Sequence, residues 1–128
     1  MLETFETVAK AIADPTRTRI LKLLEAGELC VCQIVAVLTL APATISKHLS
    51  ILKTAGLLQQ RRDGKWIYYR LSEQQFNPYA APFLDQVRSS LNDDPTVAAD
   101  RAALDTVAAL PLDKVCGPAV ILGDMVSS

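Results

Sequence analysis

The dipeptide Asp63-Gly64 stands between two runs with strand-like composition, Leu57 to Arg62 and Lys65 to Leu71. A two-residue loop that contains glycine is a strong signal for a tight turn, because glycine readily takes the positive φ that such turns need. The apolar residues before Gly56 recur instead at helical spacing. The sequence therefore predicts a run of short helices followed by one two-stranded hairpin.

Four short helices are predicted ahead of the hairpin. Asp14 followed by Pro15 is typical of a helix start, because the carboxylate caps free backbone amides. Proline is tolerated at the first helical position, because the N–H that it lacks would have no hydrogen-bond partner within the helix. Gly27 and Gly56 are typical helix ends. The predicted helices cover Leu2 to Ala13, Pro15 to just before Gly27, Cys30 to Leu38 and Pro42 to Ala55, and a fifth, which Pro78 and Pro82 delay or kink, lies between Ser72 and Leu91.

Length and composition predict one packed domain with a tail. The chain has 128 residues, of which 50% are hydrophobic. Asp93-Asp94-Pro95 marks the predicted boundary between a domain at 1–92 and a tail at 93–128 that is partly helical or flexible. No run approaches the ~18 apolar residues of a membrane span, and the first six residues do not resemble a signal peptide. We therefore expect a cytoplasmic protein with no membrane partner.

The charge distribution predicts a nucleic-acid partner. The net charge is −1, yet residues 1–72 carry ten Lys and Arg against six Asp and Glu, whereas residues 73–128 carry three against eight. Within 44–70, six basic residues stand against a single acid, Asp63. A solvated surface usually mixes the two signs, whereas a phosphate-facing surface concentrates positive charge.

Helices two to four and the basic hairpin together predict a winged helix-turn-helix, a mainly α fold with a small β-wing. In that fold the helix after the turn enters the major groove of double-stranded DNA and the wing reaches the adjacent backbone. Ile45, Leu49 and Leu52 lie on the core face of helix four, so other positions face outward. Any one of them alone is equally well an ordinary exposed residue. The predicted DNA-binding residues are Ala43, Thr44, Ser46, Lys47, His48, Ser50 and Lys53 on helix four and Arg61, Arg62 and Lys65 on the wing.

The sequence shows no catalytic constellation. His48 is the only histidine, and no nucleophile with an orienting carboxylate accompanies it. A polar contact at the DNA surface or at a helix packing edge is the preferred interpretation. We expect neither an enzyme nor an organic cofactor.

Two of the three cysteines, Cys30 and Cys32, are separated by one residue. An odd number of cysteines in a reducing compartment favours ligand or redox chemistry over a disulfide framework. Thiols near a helix N-terminus have a lowered pKa, and thiolates are soft ligands that suit As(III) or Sb(III). In a regular helix the two side chains point about 200° apart, so they share an ion only if the first turn is open. The alternative is a pair of small buried hydrophobic side chains.

Several segments occur in a familiar order: Ala13-Asp14-Pro15-Thr16-Arg17, Glu28-Leu29-Cys30-Val31-Cys32, Ser46 to Leu52, Ala55-Gly56-Leu57-Leu58 and Gly64 to Leu71. Together they resemble the arsenic-responsive branch of the ArsR/SmtB family of metal-sensing repressors, over about residues 5–92. The resemblance implies a homodimeric winged-helix repressor that leaves operator DNA when arsenite binds. It also implies a dimer interface built from helices at about 2–13 and 79–92.

The chain departs from the family pattern at two positions. Ala41 stands where a serine is common, and an alanine cap is weaker by about 1 kcal/mol, partly offset by Pro42, so we expect a frayed start of the recognition helix. Val35 stands where the best-known arsenic-responsive pattern has a third cysteine. Trivalent arsenic is satisfied best by three thiolates, and Cys116 is the remaining sulfur nucleophile. Gly117-Pro118 favours a turn, and the tail is long enough to reach helix three of either protomer, so Cys116 is the candidate third ligand; a cysteine without a role is the alternative.

Cadmium and lead stay open as alternative inducers, whereas a zinc site is not expected. Cadmium and lead sensors of this family add cysteines from an N-terminal extension, which residues 1–6 do not provide. Zinc sensors that use the last helix need histidine there, and residues 73–92 contain none. A repressor in which oxidation joins two thiols is the alternative from a second class of function.

Overall fold

The computed structural model describes residues 1–73 and 77–116. In these ranges the fold is mainly helical with a small antiparallel sheet, as predicted. The helices are α1 (Leu2–Ile12), α2 (Pro15–Leu24), α3 (Val31–Leu38), α4 (Pro42–Thr54), α5 (Ala80–Arg88), α6 (Pro95–Ala108) and α7 (Leu112–Val115), and the strands are β1 (Leu29–Cys30), β2 (Leu58–Asp63) and β3 (Trp66–Leu71).

Helix α2 starts as the sequence predicts. The Asp14 carboxylate accepts a hydrogen bond from the backbone N–H of Arg17 at 3.1 Å, and Pro15 occupies the first helical position. This hydrogen bond lowers the pKa of the Asp14 carboxyl because it stabilises the charged form. The helix ends at Leu24, ahead of Gly27, whose φ is +132°.

The hairpin loop lies one residue later than predicted. Asp63 pairs with Trp66 at the end of the β2–β3 ladder, so the two loop residues are Gly64 and Lys65. Gly64 has a φ of +60°, a conformation that the first position of a tight hairpin loop requires and that glycine adopts without strain.

The sheet has three strands, whereas the sequence predicts two. Strand β1 pairs antiparallel with β3 through Leu29 opposite Tyr69 and Cys30 opposite Tyr68, which gives the order β1-β3-β2. A strand of two residues has no alternation that a sequence pattern can detect. The added strand joins the segment before α3 directly to the wing.

Helices α3 and α4 form the helix-turn-helix. Their axes are bent by 117° across the turn, close to the geometry of such motifs. Helix α3 begins at Val31 and not at the predicted Cys30, because Cys30 has an extended backbone and belongs to β1. Ala41 precedes α4 without a side-chain cap. Among the described residues no single helix is long and apolar enough to cross a membrane; only α3 and α4 as a bent pair meet that test, by length and composition.

The core forms where α1, α2, α3, α4 and the sheet meet. The predicted core stripe of α4 is confirmed, because Ile45, Leu49 and Leu52 are fully buried. They pack into one apolar cluster with residues of the other elements, including Ile20 and Ile34. The opposite face of α4 is thereby left at the surface.

Helix α5 is shorter than the span predicted between Ser72 and Leu91. It starts after Pro78, and Pro82 lies in its first turn, where the missing N–H has no helical partner to lose. The predicted late start is therefore confirmed. Residues 74–76 of the predicted span lie outside the described residues.

A buried lysine joins α5 to α2. Lys22 Nζ donates hydrogen bonds to the Val87 carbonyl and to Asn92 Oδ1, both at 3.0 Å, and pairs with Glu25 at 2.8 Å. The last carbonyls of a helix carry partial negative charge and favour a nearby cation. Lys22 therefore holds the C-terminal end of α5 over α2.

Helix α6 packs against α2 and α3. Asp94 caps its start by accepting hydrogen bonds from the N–H groups of Thr96 and Val97 at 2.9 and 3.1 Å. Arg19 of α2 donates two hydrogen bonds to Asp100 of α6, at 2.8 and 2.9 Å, and Asp100 is only 6% exposed. This bidentate pair positions α6, and with it the chain that leads to α7.

Replacement of Asp100 by alanine is expected to loosen α6. The substitution leaves the Arg19 guanidinium without its buried partner, which should lower the free energy of unfolding by about 1 to 3 kcal/mol. Chemical denaturation measures the loss, and hydrogen exchange should show faster exchange in α6 than in α4. Asp105→Ala on the exposed face of the same helix is the control; an equal loss in both variants would contradict the assigned role of the pair.

Candidate thiol site and nucleic-acid interface

The structure brings the three predicted thiols together in one chain. The sulfur atoms of Cys30, Cys32 and Cys116 all lie within 4.8 Å of one another. All three residues are buried, at 1%, 2% and 2% exposure. Their role as ligands stays a prediction, but the sulfur cluster itself is a property of the fold.

Cys30 and Cys32 meet because α3 begins between them. Cys30 is the residue before the helix and has φ −72° and ψ 146°, so its side chain does not follow the helical spiral. Its N–H donates to Gln33 Oε1 at 2.9 Å, and this hydrogen bond holds the extended conformation at the helix start. The open first turn that a shared ion requires is thus present.

Cys116 reaches the pair through α6 and α7. Helix α7 packs against α3, and the Cys116 N–H donates to the Leu112 carbonyl at 2.6 Å, which closes the turn that carries the thiol. Cys116 forms a disulfide with Cys32, with their Cα atoms 5.1 Å apart. The sulfur of Cys30 lies 4.0 Å from that of Cys116. The predicted turn at Gly117-Pro118 lies outside the described residues.

An apolar shell surrounds the sulfur cluster. Trp66 and Tyr68 of β3 and Leu112 and Val115 of α7 pack against it. Burial raises the pKa of the Tyr68 hydroxyl, and negative charge on Cys30 acts in the same direction. In the described residues the group consists of sulfur donors alone, without carboxylate or imidazole. Such a donor set suits a soft, thiophilic ion better than a hard cation.

The outward face of α4 carries the predicted DNA-binding residues. Most of them are exposed, whereas Ser46 and His48 are half-buried. The exposed ones are Ala43, Thr44, Lys47, Ser50 and Lys53. Lys53 Nζ donates to Gln60 Oε1 of β2 at 2.7 Å, which ties the end of α4 to the wing.

His48 lies at a packing edge of α4. Its Nδ1 is 3.2 Å from Arg17 Nη1, and Arg17 Nε also donates to the Ala11 carbonyl at 2.6 Å. Because a guanidinium only donates, Nδ1 is the acceptor in this arrangement. Arg17 was not predicted as a functional residue. It orients His48 and links α4 to the end of α1.

The wing residues are exposed but do not share one environment. Arg61 binds the carboxylate of Glu28 in a bidentate manner, with its shortest contact at 2.7 Å, and its guanidinium lies 4.5 Å above the Tyr68 ring. Lys65 Nζ lies 4.8 Å above the Trp66 ring. Glu28 was not predicted as a functional residue. Its one signal in the sequence is an acid two positions before Cys30 in the basic half of the chain.

A helix after a turn, followed by a basic hairpin, defines a winged helix-turn-helix protein, a DNA-binding fold. Residues 14–60 match the family model described as bacterial regulatory protein, arsR family. HlyU from Vibrio cholerae has a similar structure, with a TM-score of 0.58 and 25% sequence identity over 68% of this chain and 90% of that chain.

Curated relatives agree with this class. An HTH-type transcriptional regulator of Methanocaldococcus jannaschii is 49% identical over 72 residues, which are 53% of this chain and 81% of that protein. The arsenical resistance operon repressor of Escherichia coli K12 is 45% identical over 78 residues, 60% of this chain and 66% of the relative. An arsenic resistance transcriptional regulator of Pseudomonas putida is 49% identical over 65 residues, 50% of this chain and 51% of the relative. This chain spans half to two thirds of these last two.

The chain belongs to the ArsR family of bacterial regulatory proteins, whose members are DNA-binding transcriptional regulators.

Arg62→Ala and Lys65→Ala are expected to weaken binding to every duplex sequence and to reduce the salt dependence by about one unit of slope each, because these exposed cations are predicted to contact phosphate. Thr44→Ala should instead change the preferred sequence, since a short side chain near the start of α4 approaches base edges. Fluorescence anisotropy at several salt concentrations, with specific and scrambled duplexes, measures both effects. The assignment fails if Arg62→Ala and Lys65→Ala leave the salt slope unchanged.

Proposed function

We propose that this protein is a transcriptional repressor that binds operator DNA as a homodimer and dissociates when its cysteine thiolates bind As(III) or Sb(III). The observation that carries the proposal is the convergence of three buried sulfur atoms, those of Cys30, Cys32 and Cys116, at the start of α3. The relatives named for arsenic resistance support the same inducer.

The donor set supports a trivalent metalloid. Three sulfur donors suit an ion that is satisfied best by three thiolates, and the separation of at most 4.8 Å lets one ion contact all of them after small side-chain rotations. Reduction of the bond between Cys32 and Cys116 frees two of the three thiols for binding. The apolar residues Trp66 and Tyr68 of β3 and Leu112 and Val115 of α7 pack against the sulfur atoms and would limit the access of competing water to a bound ion.

The position of the thiols supports a link to DNA binding. Only Thr39, Leu40 and Ala41 separate α3 from α4. A change in the first turn of α3 would therefore tilt α4 relative to the major groove. Two sites linked in this way affect one another equally, so operator DNA should weaken arsenite binding by the factor by which arsenite weakens DNA binding.

The outer faces of α1 and α5 support a dimer. Phe5 of α1 lies 5.4 Å from the Tyr79 ring and 5.5 Å from the Phe83 ring of α5, measured between ring centroids. Leu2 and Phe5 remain 79% and 44% exposed. Exposed apolar side chains at this position are suited to contact a second copy. Two-fold docking on DNA then requires the two α4 helices to lie about one DNA turn apart. The reducing cytoplasm, where we place the protein, would keep the thiols available.

Cys30→Ser and Cys32→Ser are each expected to abolish arsenite-induced release from promoter DNA, while the affinity for DNA without arsenite stays within about threefold of wild type. Anisotropy titrations with arsenite, antimonite, cadmium and zinc provide the measurement. Val31→Ala, which removes volume between the two cysteines but no thiol, is the control and should keep full induction. Release of the wild type by zinc but not by arsenite would contradict the proposal.

Cys116→Ser is expected to lower arsenite affinity by at least about tenfold, because the ion then keeps only two thiolates. X-ray absorption should count three sulfur neighbours around arsenic in the wild type and two in the variant. Val115→Ala, which alters the same turn but keeps the thiol, should bind arsenite as the wild type does. Equal affinity in both variants, with two sulfur neighbours in the wild type, would leave Cys30 and Cys32 as a two-thiolate site.

The disulfide between Cys32 and Cys116 favours a second candidate, a redox-responsive repressor. In this reaction a peroxide takes two electrons from the two thiols, giving the disulfide and two molecules of water. Anisotropy with hydrogen peroxide separates the candidates. Release by peroxide at concentrations where arsenite has no effect would favour redox sensing over metalloid sensing.

A further inference from the structure

Strand β1 places the sulfur cluster in direct contact with the wing. Cys30 pairs with Tyr68 of β3, and Tyr68 pairs on its other side with Arg61 of β2. Across the sheet, only Tyr68 therefore lies between Cys30 of the candidate site and Arg61 on the outer strand of the wing. Any movement of the Cys30 backbone displaces a strand that is hydrogen-bonded to β3.

A charged pair also connects the segment before β1 to the wing, in this case through side chains. Glu28 directly precedes β1, and its carboxylate accepts hydrogen bonds from Arg61 Nε, at 3.2 Å to each oxygen, and from Nη2 at 2.7 Å. The Glu28 side chain is 27% exposed and that of Arg61 is 51% exposed. Exposed pairs of this kind contribute little to stability, so the pair mainly determines position.

Tyr68 takes part both in the strand pairing with Cys30 and in the contact with Arg61. Its ring packs against the sulfur cluster on one side, and the Arg61 guanidinium lies 4.5 Å from its centroid. The bidentate contact and the stacking together hold the Arg61 side chain against β1 and β3. Arg61 was predicted to contact DNA phosphate, but here its hydrogen-bond donors face a carboxylate of its own chain.

We propose that Glu28, Arg61 and Tyr68 form a coupling element that transmits occupancy of the thiol cluster to the wing. Glu28 and Arg61 are positioning residues in this element, since neither belongs to the sulfur cluster. When Cys30 moves to share an ion, β1 shifts and Glu28 draws Arg61 with it through their hydrogen bonds, so that the wing leaves the orientation that fits the DNA backbone. This inference rests on the proposed function, because it requires that an ion at the cluster alters DNA binding.

The test compares Glu28→Gln with wild type in the full chain, using arsenite as the probe. We expect arsenite to weaken DNA binding of the variant about tenfold less than it weakens that of the wild type, because the shift of β1 no longer pulls Arg61. Without arsenite, DNA affinity should stay within about threefold of wild type. Arsenite affinity of the free protein should also be unchanged, which a general structural defect would not produce.

Arg62→Gln is the matched control, since Arg62 is the next residue of the same strand and is exposed. It should weaken DNA binding by the same factor with and without arsenite. Tyr68→Leu provides a second variant that keeps the charged pair but removes the stacking, and it should also reduce the arsenite effect. Circular dichroism melts verify that the variants fold.

The outcomes separate the two hypotheses. If arsenite releases wild type and Glu28→Gln from DNA equally, the coupling element is refuted and the proposed function stands. If arsenite fails to release wild type, the proposed function is refuted and the coupling element falls with it. If Glu28→Gln melts far below wild type, Tyr68→Leu decides, and full release in that variant overturns the inference.

Discussion

The extended backbone at Cys30 is the constraint on which the site depends. Because this residue ends β1 and precedes α3, it contributes simultaneously to the sheet and to the helix start. One more residue of helix would point the Cys30 and Cys32 side chains apart, and the pairing with Tyr68 would be lost. A single backbone conformation, held by the hydrogen bond from the Cys30 N–H to Gln33, therefore both assembles the thiols and joins them to the wing.

The third thiol depends on packing that is remote in sequence. Asp100 of α6 binds Arg19 of α2, and this buried contact sets where the chain continues into α7. Cys116 then arrives beside a cysteine 84 positions earlier. Val35, three residues after Cys32, offers no sulfur, and the turn at the end of α7 brings one from the segment that follows α6. All three sulfur atoms therefore come together only when α6 and α7 pack against α3.

The basic side chains of the wing lie in different environments. Arg62 and Lys65 are exposed on the wing, as a phosphate-facing surface requires, whereas Arg61 is held by Glu28. His48 likewise lies on the predicted DNA-binding helix but is oriented by Arg17. Proximity in sequence to a binding surface therefore does not establish that a side chain is available to the ligand.

Local patterns were sufficient for the order of helices, the cap at Asp14, the stripe of Ile45, Leu49 and Leu52, and the hairpin, because each depends on neighbours within a few residues. The same patterns predicted the cysteine pair and the need for an open turn. Only the tertiary structure decided that β1 forms, that Cys116 joins its own chain's cysteines and that Arg61 meets Glu28. These contacts join residues 33 to 86 positions apart, and the backbone path and buried packing that bring them together leave no periodic signal in the sequence.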